Sequence, residues 1–248
     1  PANPIWTTEL HRQTVDEYYF QDRNAITSKH KLWPKGRIPY VIDKTISNLL
    51  PLINKAIEHY SNNTCISFVP RSKETDYVNL TKSGGCWSSV GRQKGQQIVS
   101  LDRGCGYLGT IIHEMMHAVG FWHEQNRPDR DDYVTINYNN ILPGQEHNFI
   151  KFKIKSVNLL NAEYDYKSVM HYGEYSFSKD GKKPTIIAKQ KGQRIGDVWE
   201  KTELSQTIAT IASVCNSGSF APFINWVYLH FADITTLPNT NLVTLQLT

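Results

Sequence analysis

Residues Thr110 to Arg130 read TIIHEMMHAVGFWHEQNRPDR, and three histidines and a glutamate in that run stand at spacings suited to one metal ion. His113 and His117 are four positions apart, so on a helix of about 3.6 residues per turn they lie one above the other, with both imidazoles aimed at a common point. Glu114 follows the first of them and sits about 100° round the helix. From there it reaches a water at the metal without ligating the metal, which makes it the expected general base. Gly120 allows a positive φ that ends the helix and turns the chain back, so that His123 approaches the same point. Three neutral nitrogens leave a fourth position for water, the layout of catalytic rather than closed structural zinc.

A bare HExxH recurs in unrelated helices, and Gly120 and His123 supply what it lacks, the longer spacing HExxHxxGxxH of the metzincins. The run continues HExxHxxGFWHEQNRPDRD and is followed about fifty residues later by Ser168-Val169-Met170-His171-Tyr172. In this it resembles the astacin family of zinc endopeptidases. RNAI at Arg23 to Ile26, LWPKGRIPYVID at Leu32 to Asp43, CISFVPR at Cys65 to Arg71 and YLGTIIHE at Tyr107 to Glu114 extend the resemblance. It covers roughly Asn24 to Cys215. The resemblance implies an α+β, zincin-like, two-lobed metalloprotease domain, with a twisted sheet and the zinc helix above and an irregular lobe below.

Composition agrees with a single large domain or two small lobes. The 248 residues are 40% hydrophobic, enough for a sizeable core, and the net charge of +4 is spread without the clustered Lys and Arg of a nucleic-acid surface. Cys65, Cys86, Cys105 and Cys215 show no CxxC or ribbon spacing, which favours two disulfides over a second metal site, and spacing alone permits three pairings. The astacin resemblance implies Cys65 with Cys215 and Cys86 with Cys105. Disulfides imply an oxidising compartment and hence secretion. The sequons at Asn62 and Asn79 agree with that. No apolar run is long enough to span a membrane. The chain opens on Pro1 rather than Met, as expected if a targeting segment has been removed.

Taken in order, residues 1–23 are polar, weakly patterned and end at Arg23, and read as a propeptide remnant awaiting an activating protease. Arg37 to Asp43 alternates as a half-buried strand. Ser47 to Tyr60 switches to helical period, with Leu49, Leu50, Ile53, Ala56, Ile57 and Tyr60 on one face. Cys65 to Val69, Tyr77 to Leu80 and Gln97 to Leu101 read as further strands, with glycines 84, 85, 91 and 95 as turns. The zinc helix spans about Tyr107 to Val119. Beyond Pro128 a strand is expected at Tyr133 to Tyr138 and a short, interrupted helix at Leu142 to Phe152, with His147 structural. Residues 216–248 form a tail of unknown structure, nearly without charge.

The resemblance also assigns roles. His113, His117 and His123 hold Zn2+, Met170 packs beneath their rings, and Tyr172 is a further ligand at rest that swings away to stabilise the oxyanion. Cleavage near Arg23 frees Asn24, whose amino group pairs with Glu124. The family's propeptide element with a zinc-capping aspartate is reduced here to Phe20-Gln21-Asp22, so a solvated Asp22 is as reasonable as a latency ligand. Lys179, Lys182, Lys183, Lys189, Lys191 and Arg194 form either a solvated face or, through one member, a pocket wall favouring an acidic residue just beyond the scissile bond. Together these imply a secreted endopeptidase acting on proteins or peptides. The rival is a zincin scaffold that binds without turnover, and the intact base at Glu114 tells against it.

Overall fold

The structure, a computed structural model, describes residues 28–153 and 162–212. The expected processing point at Arg23, Asn24, Asp22, Cys215 and the tail from residue 216 lie outside the described residues.

Trp33 and the turn at Pro34–Gly36 lead into β1 (Arg37–Ile42), which pairs in parallel with β2 (Ser67–Pro70) on one side and β3 (Tyr77–Thr81) on the other. β3 continues in parallel to β5 (Gln96–Leu101), and β4 (Cys86–Ser88) closes the edge antiparallel to β5, giving the order β2-β1-β3-β5-β4. β4 was not expected. Three residues behind two glycines carry too short an alternation to be legible, and pairing with Val99 to Leu101 is what makes them a strand.

The first helix, α1 (Leu50–Asn63), starts later and ends later than its pattern suggests. Pro51 fits only in a first turn, because it lacks an N–H, so residues Lys44–Leu49 form a separate 3-10 turn capped by Asp43, which accepts from Thr45 N at 2.8 Å. The buried face is then Leu49, Ile53, Ala56 and Tyr60, and Leu50 turns out to solvent. The helix that carries His113 and His117, α2 (Leu108–Val119), is buried along nearly its whole length. A short α3 (Gln206–Ala212), absent from the sequence expectation, packs into the same core.

That core joins the sheet, the helices and the Val169–Met170 turn. A second, smaller cluster of Val134, Ile141, Phe149, Tyr164, Ile186 and Ile195 lies under Tyr172. Here β6 (Val134–Ile136) pairs antiparallel with β7 (Ile186–Ala188), and the rest is 3-10 turns. The expected α+β, two-lobed plan holds. The interrupted helix at Leu142 to Phe152 does not form, since Gly144 takes φ 87° and only Glu146–Phe149 makes a 3-10 turn. No helix among the described residues is long and apolar enough to cross a membrane.

Cys86 and Cys105 are joined, tying β4 to the segment before α2. Cys65 Sγ lies 3.1 Å from the Ala212 carbonyl oxygen at the end of α3, and no described cysteine is free.

Candidate metal centre

Three imidazoles meet at one point. His113 and His117 project from successive turns of α2, and Gly120, at φ 131°, ends that helix, with its own N–H and that of Phe121 both donating to Met116 O at 3.1 Å. The chain then runs extended through His123, whose Nε2 lies 3.2 Å from that of His113 and 3.1 Å from that of His117. The last turn of α2 is held by buried partners as well: Gly91 N donates to His117 O at 2.8 Å and the Trp33 indole to Ala118 O at 2.7 Å.

Backbone carbonyls choose the tautomers. His113 Nδ1 donates to Val169 O and His117 Nδ1 to Phe121 O, each at 2.7 Å. With the proton held on Nδ1, Nε2 carries a bare lone pair. Burial drives the pKa of His113 down to about 3 and that of His117 to about 4, and His123 well below its ordinary value, so the rings are neutral. The Nε2 lone pairs of His113 and His117 face the His123 Nε2 at 3.2 and 3.1 Å, and an all-imidazole set with room for one more ligand suits zinc. The ring-to-carbonyl bonds are the outer contacts that orient such ligands. Sequence patterns cannot reveal them, because any residue supplies a carbonyl.

Glu114 is 5% exposed, and its Oε2 has no hydrogen-bond partner among the described residues. Burial pushes its carboxyl up to about 8. A buried carboxyl oxygen left without a partner one residue from His113 is costly for stability.

Met170 is fully buried, and its carbonyl accepts from Glu124 N at 2.9 Å, so the Met170 turn is tied to the residue after His123. Tyr172 lies with its ring 4.5 Å from that of His123, backed by Phe149 and Phe177. Burial first, then Glu114, raises its phenol well above the ordinary value. Gln125, an ordinary polar residue in the sequence pattern, is fully buried and accepts from Tyr172 N at 3.1 Å. Tyr164 OH and His171 Nε2 meet at 2.6 Å beneath the same turn.

Glu124 accepts from Arg127 Nη1 at 2.9 Å and from Asp165 N at 3.1 Å, and burial pushes it up to about 7 against the pull of Arg127. Arg127 also holds Asp129 and the carbonyls of Ala162 and Glu163. The basic residues from Lys179 to Arg194 are exposed. Lys179 donates to Asn139 O, Lys189 to Asp131 O, and Arg194 pairs with Glu200.

Residues 25–211 match the model of the peptidase family described as Astacin. The chain is 44% identical over 184 residues to zinc metalloproteinase nas-6 of Caenorhabditis elegans, covering 73% of this chain and 53% of that protein. To human meprin A subunit beta it is 45% identical over 171 residues, 68% of this chain and 24% of the other. The chain thus spans about half, or less, of such relatives. Among solved structures it is similar to high choriolytic enzyme 1, a hatching enzyme zinc-protease from Oryzias latipes, with a TM-score of 0.66, 35% identity, and 86% and 96% of the two chains covered.

Proposed function

The chain belongs to the astacin family of peptidases, and from that premise we propose that it is a secreted zinc-dependent endopeptidase that cleaves proteins or peptides. The observation that carries this reading is the convergence of the Nε2 atoms of three neutral imidazoles, with the carboxyl of Glu114, next to His113 in the chain, buried and its Oε2 without a partner among the described residues.

His113, His117 and His123 would hold the zinc, with Tyr172 as a further ligand. Zinc bound there supplies a Lewis acid that acidifies water and polarises a peptide carbonyl. Glu114 accepts a proton from the attacking water and returns it to the leaving amine nitrogen. The Tyr172 phenol donates a hydrogen bond to the oxyanion as it develops. Phe149 and Phe177 wall the tyrosine and limit its excursion.

Activation follows from trimming after Arg23, which frees Asn24 to bring an ammonium to Glu124. Taking an ammonium and a carboxylate from water together requires that they pair, which makes the new terminus a specific plug rather than a loose end. Glycans at Asn62 and Asn79 and a Cys65–Cys215 disulfide complete the secreted reading.

The test is Glu114→Ala, compared with the unsubstituted chain trimmed before Asn24, with zinc content and casein hydrolysis measured on both. The reading expects equal zinc and loss of hydrolysis in the variant. Undiminished turnover in Glu114→Ala would refute the base, and a trimmed, zinc-loaded wild-type chain that cleaves nothing would refute the peptidase.

A further inference from the structure

Residues Asp197 to Lys201 form a short strap that touches two elements that build the site. The 3-10 turn Val198–Glu200 packs against the first turn of α2 at Gly109, where a Cβ would stand 2.1 Å from Val198 O and 2.2 Å from Lys201 O. No side chain fits there, so the strap backbone seats directly on the zinc helix. On the other side the Asp197 carboxyl lies against Gly173, the residue after Tyr172, where a Cβ would meet Oδ1 at 2.0 Å.

Between these two seats the Lys201 ammonium turns inward. It donates to Ser168 O at 2.7 Å and to His171 O at 3.0 Å, the carbonyls at the start and end of the Met170 turn. The His171 carbonyl belongs to the peptide unit whose N–H is that of Tyr172, and that N–H donates to Gln125 Oε1 at 3.1 Å. The peptide plane entering Tyr172 is therefore held on both edges, by Lys201 on its oxygen and by Gln125 on its nitrogen. Charge-assisted bonds of this kind are stronger than neutral ones, and a lysine taken part-way out of water is retained only where such partners repay the desolvation.

Resting on the peptidase reading above, we infer that Lys201 is a positioning residue. It clamps the Ser168–His171 turn to the strap seated on the zinc helix, and so fixes where the Tyr172 phenol stands. Lys201 touches no reacting atom and acts through Tyr172. Its removal lowers kcat and leaves KM alone, because the tyrosine's hydrogen bond to the oxyanion exists only in the transition state.

The test is a double-mutant cycle of Lys201→Met with Tyr172→Phe in the trimmed, zinc-loaded chain, together with hydrogen exchange at the His171 and Tyr172 amides. Lys201→Met alone is expected to lower kcat by about 10- to 100-fold with KM nearly unchanged, as for a misplacement of about an ångström. In the Tyr172→Phe background the same change is expected to cost less than about 3-fold, since a partner that acts through the hydroxyl has nothing left to position. Exchange at the two amides rises in Lys201→Met and not in Tyr172→Phe. Lys201→Arg, which keeps donors for both carbonyls, restores kcat and protection. If Lys201→Met is too unstable to purify, Lys201→Gln goes through the same cycle.

An equal loss of kcat in both backgrounds, or unchanged exchange at both amides, overturns the clamp. The exchange measurement needs no turnover. Faster exchange in a chain whose wild type cleaves nothing would therefore keep the clamp and refute the peptidase, whereas unchanged exchange in an active enzyme would do the reverse.

Discussion

The Nδ1 of His113 donates to the Val169 carbonyl over 2.7 Å, joining the first histidine of the zinc helix to a residue 56 positions later. The bond fixes the histidine's tautomer and makes the Met170 turn part of the metal site. Replacing Met170, fully buried beside Val169, by alanine opens a cavity in the main core and loosens that carbonyl. Met170→Ala should lose about 2–5 kcal/mol in urea unfolding. Weaker ring orientation should also reduce zinc affinity by about 10- to 100-fold. Competition with a chromogenic chelator measures the second effect.

Tyr172→Phe keeps the ring packing against His123, Phe149 and Phe177 and removes only the hydroxyl. The expected result is a kcat lower by about 10²- to 10³-fold, the usual loss for one oxyanion donor, with KM within a few-fold of wild type. A proportional rise in KM instead would mean that the phenol binds the ground state.

Arg127 and Glu124 are each 4% exposed and bonded at 2.9 Å. Arg127→Met leaves a buried carboxylate short of its cation and also strands the carbonyls of Ala162 and Glu163. The loss should be about 3–5 kcal/mol, the range for breaking one side of a buried pair. Asp131, which is 53% exposed, offers the contrast. Asp131→Asn should change stability by less than about 1 kcal/mol.

His59 gives a pH dependence away from the metal. Its Nε2 accepts from Leu204 N at 2.9 Å, joining α1 to the segment before α3, and burial lowers its pKa below the ordinary 6.5 despite Glu203. Because the folded value lies below the unfolded one, the unfolded chain binds more protons in the window below 6.5. The stabilising contribution is complete above that pH and is lost as pH falls through the folded value. His59→Gln, which keeps an acceptor and does not titrate, should flatten the acid limb of the urea midpoint between about pH 7.5 and 5 by comparison with wild type.

The metal site was largely legible in the sequence because helical period and one glycine place His113, His117 and His123 by local geometry alone. The sheet was legible where strands alternate over five or six residues, as at β1, β3 and β5. β4 and β7, three residues each, were not, because their identity comes from partners distant in the chain. The start of α1 slipped because Pro51 outranks the apolar pattern. The contacts that orient the site, Val169 O, Phe121 O, Gln125 and Lys201, carry no sequence signal, since two are backbone atoms and the others resemble ordinary polar residues until the fold brings them together.

The most direct test of the central claim is a titration of Zn2+ into the metal-free chain trimmed before Asn24, followed by casein hydrolysis. Three imidazoles converging on one ion predict activity that rises linearly and saturates at one zinc per chain, and that is lost in His123→Ala. Hydrolysis that never appears, or that saturates equally in His123→Ala, would contradict the account.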